Sequence, residues 1–246
     1  MKILFSPSES KSAFNNDERL DKSSLVFLDL YEKRLEILNI YNEFIKTSSI
    51  DKISKLFGIK NLIDDKSLRR DVFTKGLIKA VLRYDGVAYK HLNYRDLSQN
   101  SQNYIDKNVV IFSNLFGPIL AGDKIFEYKL KQGEKINGVN IEKFYNEHFS
   151  KSLDEFLQDD DILDLRAGYY EKFYQIKKEH TSFKFIKNGK IVSHHAKAYR
   201  GKILNQIAKD NINSKKELMD VNFDGLKLVE IKKIGLKNEV CFEIMC

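Results

Sequence analysis

The chain has 246 residues, with 42 Lys+Arg against 35 Asp+Glu, 42% hydrophobic and 12% aromatic residues, 2 Pro, 2 Cys and no Trp. That is enough apolar material for a large buried core and too much for a disordered chain. A disulfide scaffold is excluded as well: Cys241 and Cys246 stand five apart on what reads as a closing strand, where their side chains face opposite ways. Two unlinked thiols fit a reducing compartment.

In chain order, residues 2–5 read as a short buried strand running into a polar loop over 6–12. Residues 25–45 are expected to be a helix, because Leu28, Tyr31, Leu35, Leu38 and Tyr41/Asn42 follow the helical period. A second helix over 51–57 stops at Gly58, and more helices are expected over 72–84 and 98–105. Residues 109–112 form an apolar strand, and 113–133 are irregular, broken by Gly117, Pro118, Gly122 and Gly133. A helix over 141–157, a strand over 162–165 and a hairpin over 183–192 follow, the hairpin turning at Asn188-Gly189. A helix over 195–209 and alternating strands over 226–245, turning at Gly235 or at Lys237-Asn238, close the chain. Strands and helices alternate without a regular βαβ rhythm, and no linker or repeat divides them. The expectation is a single compact α+β domain over 1–246, an irregular mixed sheet surrounded by helices.

No run approaches the roughly 20 apolar residues of a membrane span. The longest, 109–121, is broken by Ser113, Asn114, Gly117 and Pro118. The apolar start, 1–5, meets Ser-Pro-Ser-Glu-Ser at once, which leaves no room for the core of a signal peptide. The chain is therefore expected to be cytoplasmic, with no membrane partner, and monomeric.

The formal charge of +7 is unevenly distributed. Lys172, Lys177, Lys178, Lys184, Lys187, Lys190, Lys197, Arg200, Lys202 and Lys209 face only Glu179 within their stretch, a local excess of +9 that leaves −2 for the rest. A polyanion-binding face needs such concentration, and a solvated lysine-rich surface also produces it.

The signatures of phosphate loops, dinucleotide folds, zinc proteases and Cys-x-x-Cys sites are missing. His194 and His195 are adjacent, so their side chains diverge, and no carboxylate stands at ligand spacing. The acidic run Asp154, Glu155, Asp159, Asp160, Asp161, Asp164 lacks the glycine and alternate spacing of a calcium loop, and reads as a solvated helix end. No metal and no cofactor is expected. Nor is iron storage, since the five His make no Glu-x-x-His pairs.

Six segments carry more information. Pro7-Ser8-Glu9-Ser10-Lys11 follows the first strand, and Tyr84-Asp85-Gly86-Val87-Ala88-Tyr89 ends a helix. Residues 112–117 (Phe-Ser-Asn-Leu-Phe-Gly) and 123–130, with Asp123, Tyr128 and Leu130, lie in the irregular region. Asp164-Leu165-Arg166-Ala167-Gly168-Tyr169-Tyr170 ends a strand, and Ala196-Lys197-Ala198-Tyr199-Arg200-Gly201 starts a helix. In this order and at these separations the segments resemble the YaaA family, bacterial proteins linked to peroxide-stress resistance. The chain departs from the family pattern at Ser10, Asn114, Ala121-Gly122 and Lys129.

The resemblance implies a cytoplasmic protein that limits oxidative damage to DNA, lowers free iron indirectly, and binds DNA through a basic cleft and a helix-hairpin-helix. That motif would lie within about 49–70, with Lys55, Gly58 and Lys60 at its turn, where backbone N–H groups could face a phosphate. Gly58 is equally readable as a plain helix cap. For non-specific DNA binding, Lys184, Lys187, Lys190, Lys197, Arg200 and Lys202 would line the groove, with Lys55 and Lys60 at its rim.

A different class of function is also open. Glu9, Lys11, Ser113, Asp123, Tyr128, Lys129, Arg166, Tyr170, Lys197 and Arg200 lie in strand-end loops or at a helix start and could converge on one pocket for a nucleotide or a flipped base. There Lys11, Glu9, Asp123 and Lys197 are the candidates for catalysis, Lys197 as nucleophile or base if desolvated. These charges could instead pair among themselves to hold the loops.

Overall fold

The computed structural model describes residues 1–245, leaving aside the side chains at 193 and 194. Cys246 and the His194 half of the histidine pair thus lie outside the described residues. The elements run β1 (Lys2–Phe5), α1 (Tyr31–Thr47), α2 (Ile50–Phe57), β2 (Leu77–Lys79), α3 (Ala80–Arg83), α4 (Val87–Leu92), α5 (Gln99–Asn108), β3 (Val109–Ser113), β4 (Gly117–Leu120) and β5 (Lys124–Phe126). They continue with α6 (Ile141–Leu157), β6 (Ile162–Asp164), β7 (His180–Lys187), β8 (Lys190–Ile191), α7 (Ser193–Asp210), α8 (Lys215–Asp220), β9 (Leu226–Ile234) and β10 (Lys237–Ile244).

Eight strands form one mixed sheet in the order β4-β3-β1-β6-β7-β10-β9, with β8 paired to the end of β7. The inner five, β3, β1, β6, β7 and β10, are parallel, while β4, β8 and β9 are antiparallel to their neighbours. Strands covered on both faces read as unbroken apolar runs, and Ile3-Leu4-Phe5 and Val109-Val110-Ile111-Phe112 are such runs, all buried. Helices cover the sheet through apolar stripes at helical spacing: Ile37, Leu38, Tyr41 and Ile45 on α1, and Tyr145, Phe149, Leu153 and Leu157 on α6. The α+β architecture and the mixed sheet expected from the sequence are both present.

Three expected elements differ. The helix over 25–45 starts only at Tyr31, because Phe27 takes a left-handed φ of 61° that no α-helix accommodates. Its ring packs edge-on against Phe149 and Phe156. The helix over 72–84 is replaced by a short turn, strand β2 and the single-turn α3. There β2 pairs with β5, and Gly76 lies so close to the Asn16 carbonyl that a Cβ would stand 1.8 Å from it. Long-range pairing overrides the local period. The region 113–133 holds β4 and β5 rather than loop alone. The hairpin turn at Asn188-Gly189 has both residues left-handed, at φ 51° and 72°, as the tight primed turn requires.

Candidate functional site

β1 and β6 are parallel neighbours, but the chain after β1 goes on to β3, on the far side of β1, while β6 continues to β7. Connections diverging from adjacent parallel strands leave a crevice at their carboxyl ends, the place where such sheets accept ligands. A cavity of about 370 Å³ lies there. One wall is the run of residues 5–10 after β1, and another is Leu165, Ala167 and Tyr170 after β6. Gly86 to Tyr89 at the start of α4, with Gln132, close one side, and Lys197 and Arg200 of α7 the other.

Two glycines permit this closeness. A Cβ at Gly86 would meet the Ser8 hydroxyl at 2.2 Å, so the loop after β1 packs directly on the start of α4. Gly201 does the same for the crossing of α4 and α7. Lys197 and Arg200, three apart, share one face of α7. Among the described residues neither side chain makes an ion pair or hydrogen bond. Burial lowers the Arg200 guanidinium below its ordinary pKa, partly offset by Asp164. Glu9 lines the cavity with them.

Lys11 follows the lining run. Its Nζ donates to the Ser8 and Glu9 carbonyls at 3.2 Å each and lies 4.2 Å from the centre of the Tyr128 ring and 5.6 Å from that of Tyr84. Burial pulls its pKa down to about 8. Behind it runs a buried chain of hydroxyls, Tyr84 to Tyr128 at 3.0 Å and Tyr128 to Ser113 at 2.8 Å. Ser113 Oγ also accepts the Leu115 and Phe116 N–H groups. Burial raises both phenol pKa values, so these hydroxyls stay neutral.

A family model for the peroxide stress protein YaaA matches residues 1–232. The chain belongs to this family. An uncharacterized protein of Campylobacter jejuni is 48% identical over 245 residues, covering 100% of both chains. UPF0246 proteins of Fusobacterium nucleatum and Malacoplasma penetrans are 26% and 27% identical, covering 93% and 98% of each chain.

In this YaaA-family chain four of the six motif segments contribute residues to the crevice, those at 7–11, 84–89, 164–170 and 196–201. Residues 7–10, the pair Lys197/Arg200 and Tyr170 line the cavity, and Lys11 is the next residue of the chain without lining it. Arg166 does not line it. Its buried guanidinium grips Asp164 in two bonds, Nε to Oδ1 at 2.9 Å and a terminal nitrogen to Oδ2 at 2.8 Å. It also donates to the Tyr174 carbonyl at 2.9 Å and lies over the Phe112 ring. Asp123 is elsewhere as well, accepting the Val26 and Leu120 N–H groups at 2.9 Å each, with its pKa raised to about 6 by burial. Lys129 is exposed, and its backbone alone is held, by the Tyr41 hydroxyl.

The cations expected along a groove are dispersed. Lys184 pairs with Glu239 at 3.3 Å, Lys202 sits over the Tyr199 ring in a separate groove, and Lys187 and Lys190 flank the β7–β8 turn. Lys55 and Lys60 are exposed around Gly58, whose φ of 67° ends α2. The Gly58 N–H bonds to the Lys55 carbonyl and the Ile59 N–H to the Ser54 carbonyl, the pattern of a helix cap. The next helical element is a short 3-10 turn, Lys66–Arg69.

Sequence reasoning singles out the segment 84–89 without assigning Gly86, Val87 or Tyr89 to the site, and it misses Gln132. The first three carry a readable signal, a glycine before a short helix. Gln132 carries none.

Proposed function

We propose that the chain acts in peroxide stress by binding a nucleotide-sized anion in the crevice between β1 and β6. The observation that carries this reading is the pair Lys197 and Arg200, two cations on one helix face that line a cavity and have no carboxylate at ion-pair distance among the described residues. Cations that only hold loops together have their donors taken up, those of Arg166 by Asp164 and those of Arg34 by the Val26, Phe116 and Pro118 carbonyls. A volume of about 370 Å³ suits a small ligand. Phe5, Val87, Leu165 and Tyr170 offer an apolar wall for a base, and Glu9 offers an acceptor for a sugar hydroxyl or a ring N–H. Titration calorimetry with nucleoside mono-, di- and triphosphates tests it. Arg200→Ala should weaken binding by about tenfold or more, the worth of a charge-assisted contact. Absence of binding by every nucleotide at millimolar concentration refutes the reading.

A second reading is non-specific DNA binding that shields the duplex from oxidative damage, with any effect on iron indirect. It is favoured by Lys187 and Lys190, which flank the exposed turn immediately before α7 and so join the cations of that helix in the chain. Phosphate contacts make affinity fall by orders of magnitude between roughly 50 and 200 mM salt. A gel shift that loses this salt dependence in Lys187→Ala/Lys190→Ala supports the reading. A shift insensitive to both salt and the double substitution sinks it.

A further inference from the structure

Lys197 is exposed, so an amine activated by loss of water has to come from elsewhere. Lys11 is half-buried directly after the cavity-lining run of residues 5–10, and the two carbonyls that hold its Nζ, those of Ser8 and Glu9, belong to residues lining the cavity. No carboxylate among the described residues reaches it at ion-pair distance; its other neighbours are the faces of Tyr128 and Tyr84. Carbonyls and ring faces stabilise an ammonium less than a carboxylate does, so the cost of burial is not recovered. Glu9 and Glu127 favour the charged form, while Arg83 and Lys129 oppose it. The Tyr84 and Tyr128 hydroxyls are engaged with each other and with Ser113. The outcome is an amine that sheds its proton near pH 8 rather than 10.5.

We propose that Lys11 is a nucleophilic amine that forms an imine with an aldehyde or ketone bearing an anionic group, the anion being held by Lys197 and Arg200. Only the anion-holding part rests on the proposed pocket. The neutral Nζ attacks the carbonyl carbon, and the C=O electron pair moves to oxygen, which takes a proton from water. The nitrogen returns a proton to solvent, and the resulting carbinolamine loses its oxygen as water, leaving a C=N bond. No oxidant or reductant takes part. Desolvation beside another cation is a general way to make lysine nucleophilic, and Arg83 and Lys129 are the cations that act on Lys11.

The test is reductive trapping on the wild-type protein. Glycolaldehyde phosphate and neutral glycolaldehyde are each incubated with it at about pH 7.5 with sodium cyanoborohydride, and labelled lysines are located by peptide mass spectrometry. Lys11 should take label about tenfold faster than other lysines, since far more of it is neutral at that pH. Its rate should rise with pH to a plateau just above 8, and Lys11→Arg should abolish that label alone. Arg200→Ala should slow the phosphorylated probe about tenfold more than it slows the neutral one. Equal rates for the two probes with Lys11 still selective support the amine and overturn the anion-holding part. Label spread over lysines according to exposure, with Lys11 unfavoured, overturns the proposal.

Discussion

Gly201 on α7 lies against the Ala88 carbonyl on α4: a Cβ at position 201 would stand 2.0 Å from that oxygen and 3.0 Å from the His91 Cβ. This contact lets the two helices cross closely, and it brings the start of α4 and the Lys197/Arg200 face of α7 to the same cavity. Backbone cannot yield as a flexible side-chain end can. Gly201→Ala should therefore push the helices apart, cost about 1–3 kcal/mol, and lower the melting temperature by several degrees. Ligand binding in the crevice should weaken with it. Scanning calorimetry and titration on the same variant check both effects, and an unchanged melting temperature would contradict the account of this crossing.

Arg166 should behave as a structural residue. Removing one member of a buried, doubly bonded ion pair leaves the other charge unpaired, a loss of about 3–5 kcal/mol. Arg166→Met should show that loss in urea unfolding, and Arg166→Lys should recover only part of it, because an ammonium cannot grip both Asp164 oxygens at once. Full stability in either variant would contradict this role.

Lys11 should cost the protein stability at neutral pH. Its folded pKa of about 8 lies below the unfolded value near 10.5, so the unfolded chain holds more protons between these limits. Stability from this group then rises as pH increases from about 8 to 10.5, and the full penalty applies below 8. Lys11→Met should be more stable than wild type at about pH 7 by roughly 1–2 kcal/mol, with the gain fading toward pH 10. Denaturant midpoints across that range measure it. A variant less stable than wild type at pH 7 would show that the contacts of Lys11 outweigh its desolvation.

Gly58 separates a helix cap from a phosphate-holding turn. A Cβ there would be strained by the left-handed φ of 67° and would meet the Lys131 Cδ at 2.8 Å, the movable part of a flexible side chain. Gly58→Ala should cost about 1 kcal/mol and leave retention on a DNA column unchanged. Lost retention at normal stability would assign this turn to DNA.

Much of the architecture is legible in the residues themselves, for local reasons. Ile3-Leu4-Phe5 and Val109 to Phe112 read as short strands buried on both faces, and Asn188-Gly189 favours a tight turn. The failures share a cause. Residues 72–84 have a helical pattern, yet β2 forms because β5 and Asn16 are available from distant parts of the chain. Phe27 interrupts a periodic stretch because Phe149 and Phe156 hold its ring.

The sequence by itself determined the longer strands and helices, the family motifs and the concentration of positive charge between residues 172 and 209. Which of those charges remain available was decided only by tertiary structure. Lys184 is no different in local pattern from Lys197, but Glu239, remote in the chain, pairs with the first, and no carboxylate among the described residues stands at ion-pair distance from the second. Lys11 owes its lowered pKa to burial, beside the rings of Tyr84 and Tyr128 that reach it from remote segments. A charge acts through its solvation and its nearest partner, and both are set by chain contacts that no local spacing of residues encodes.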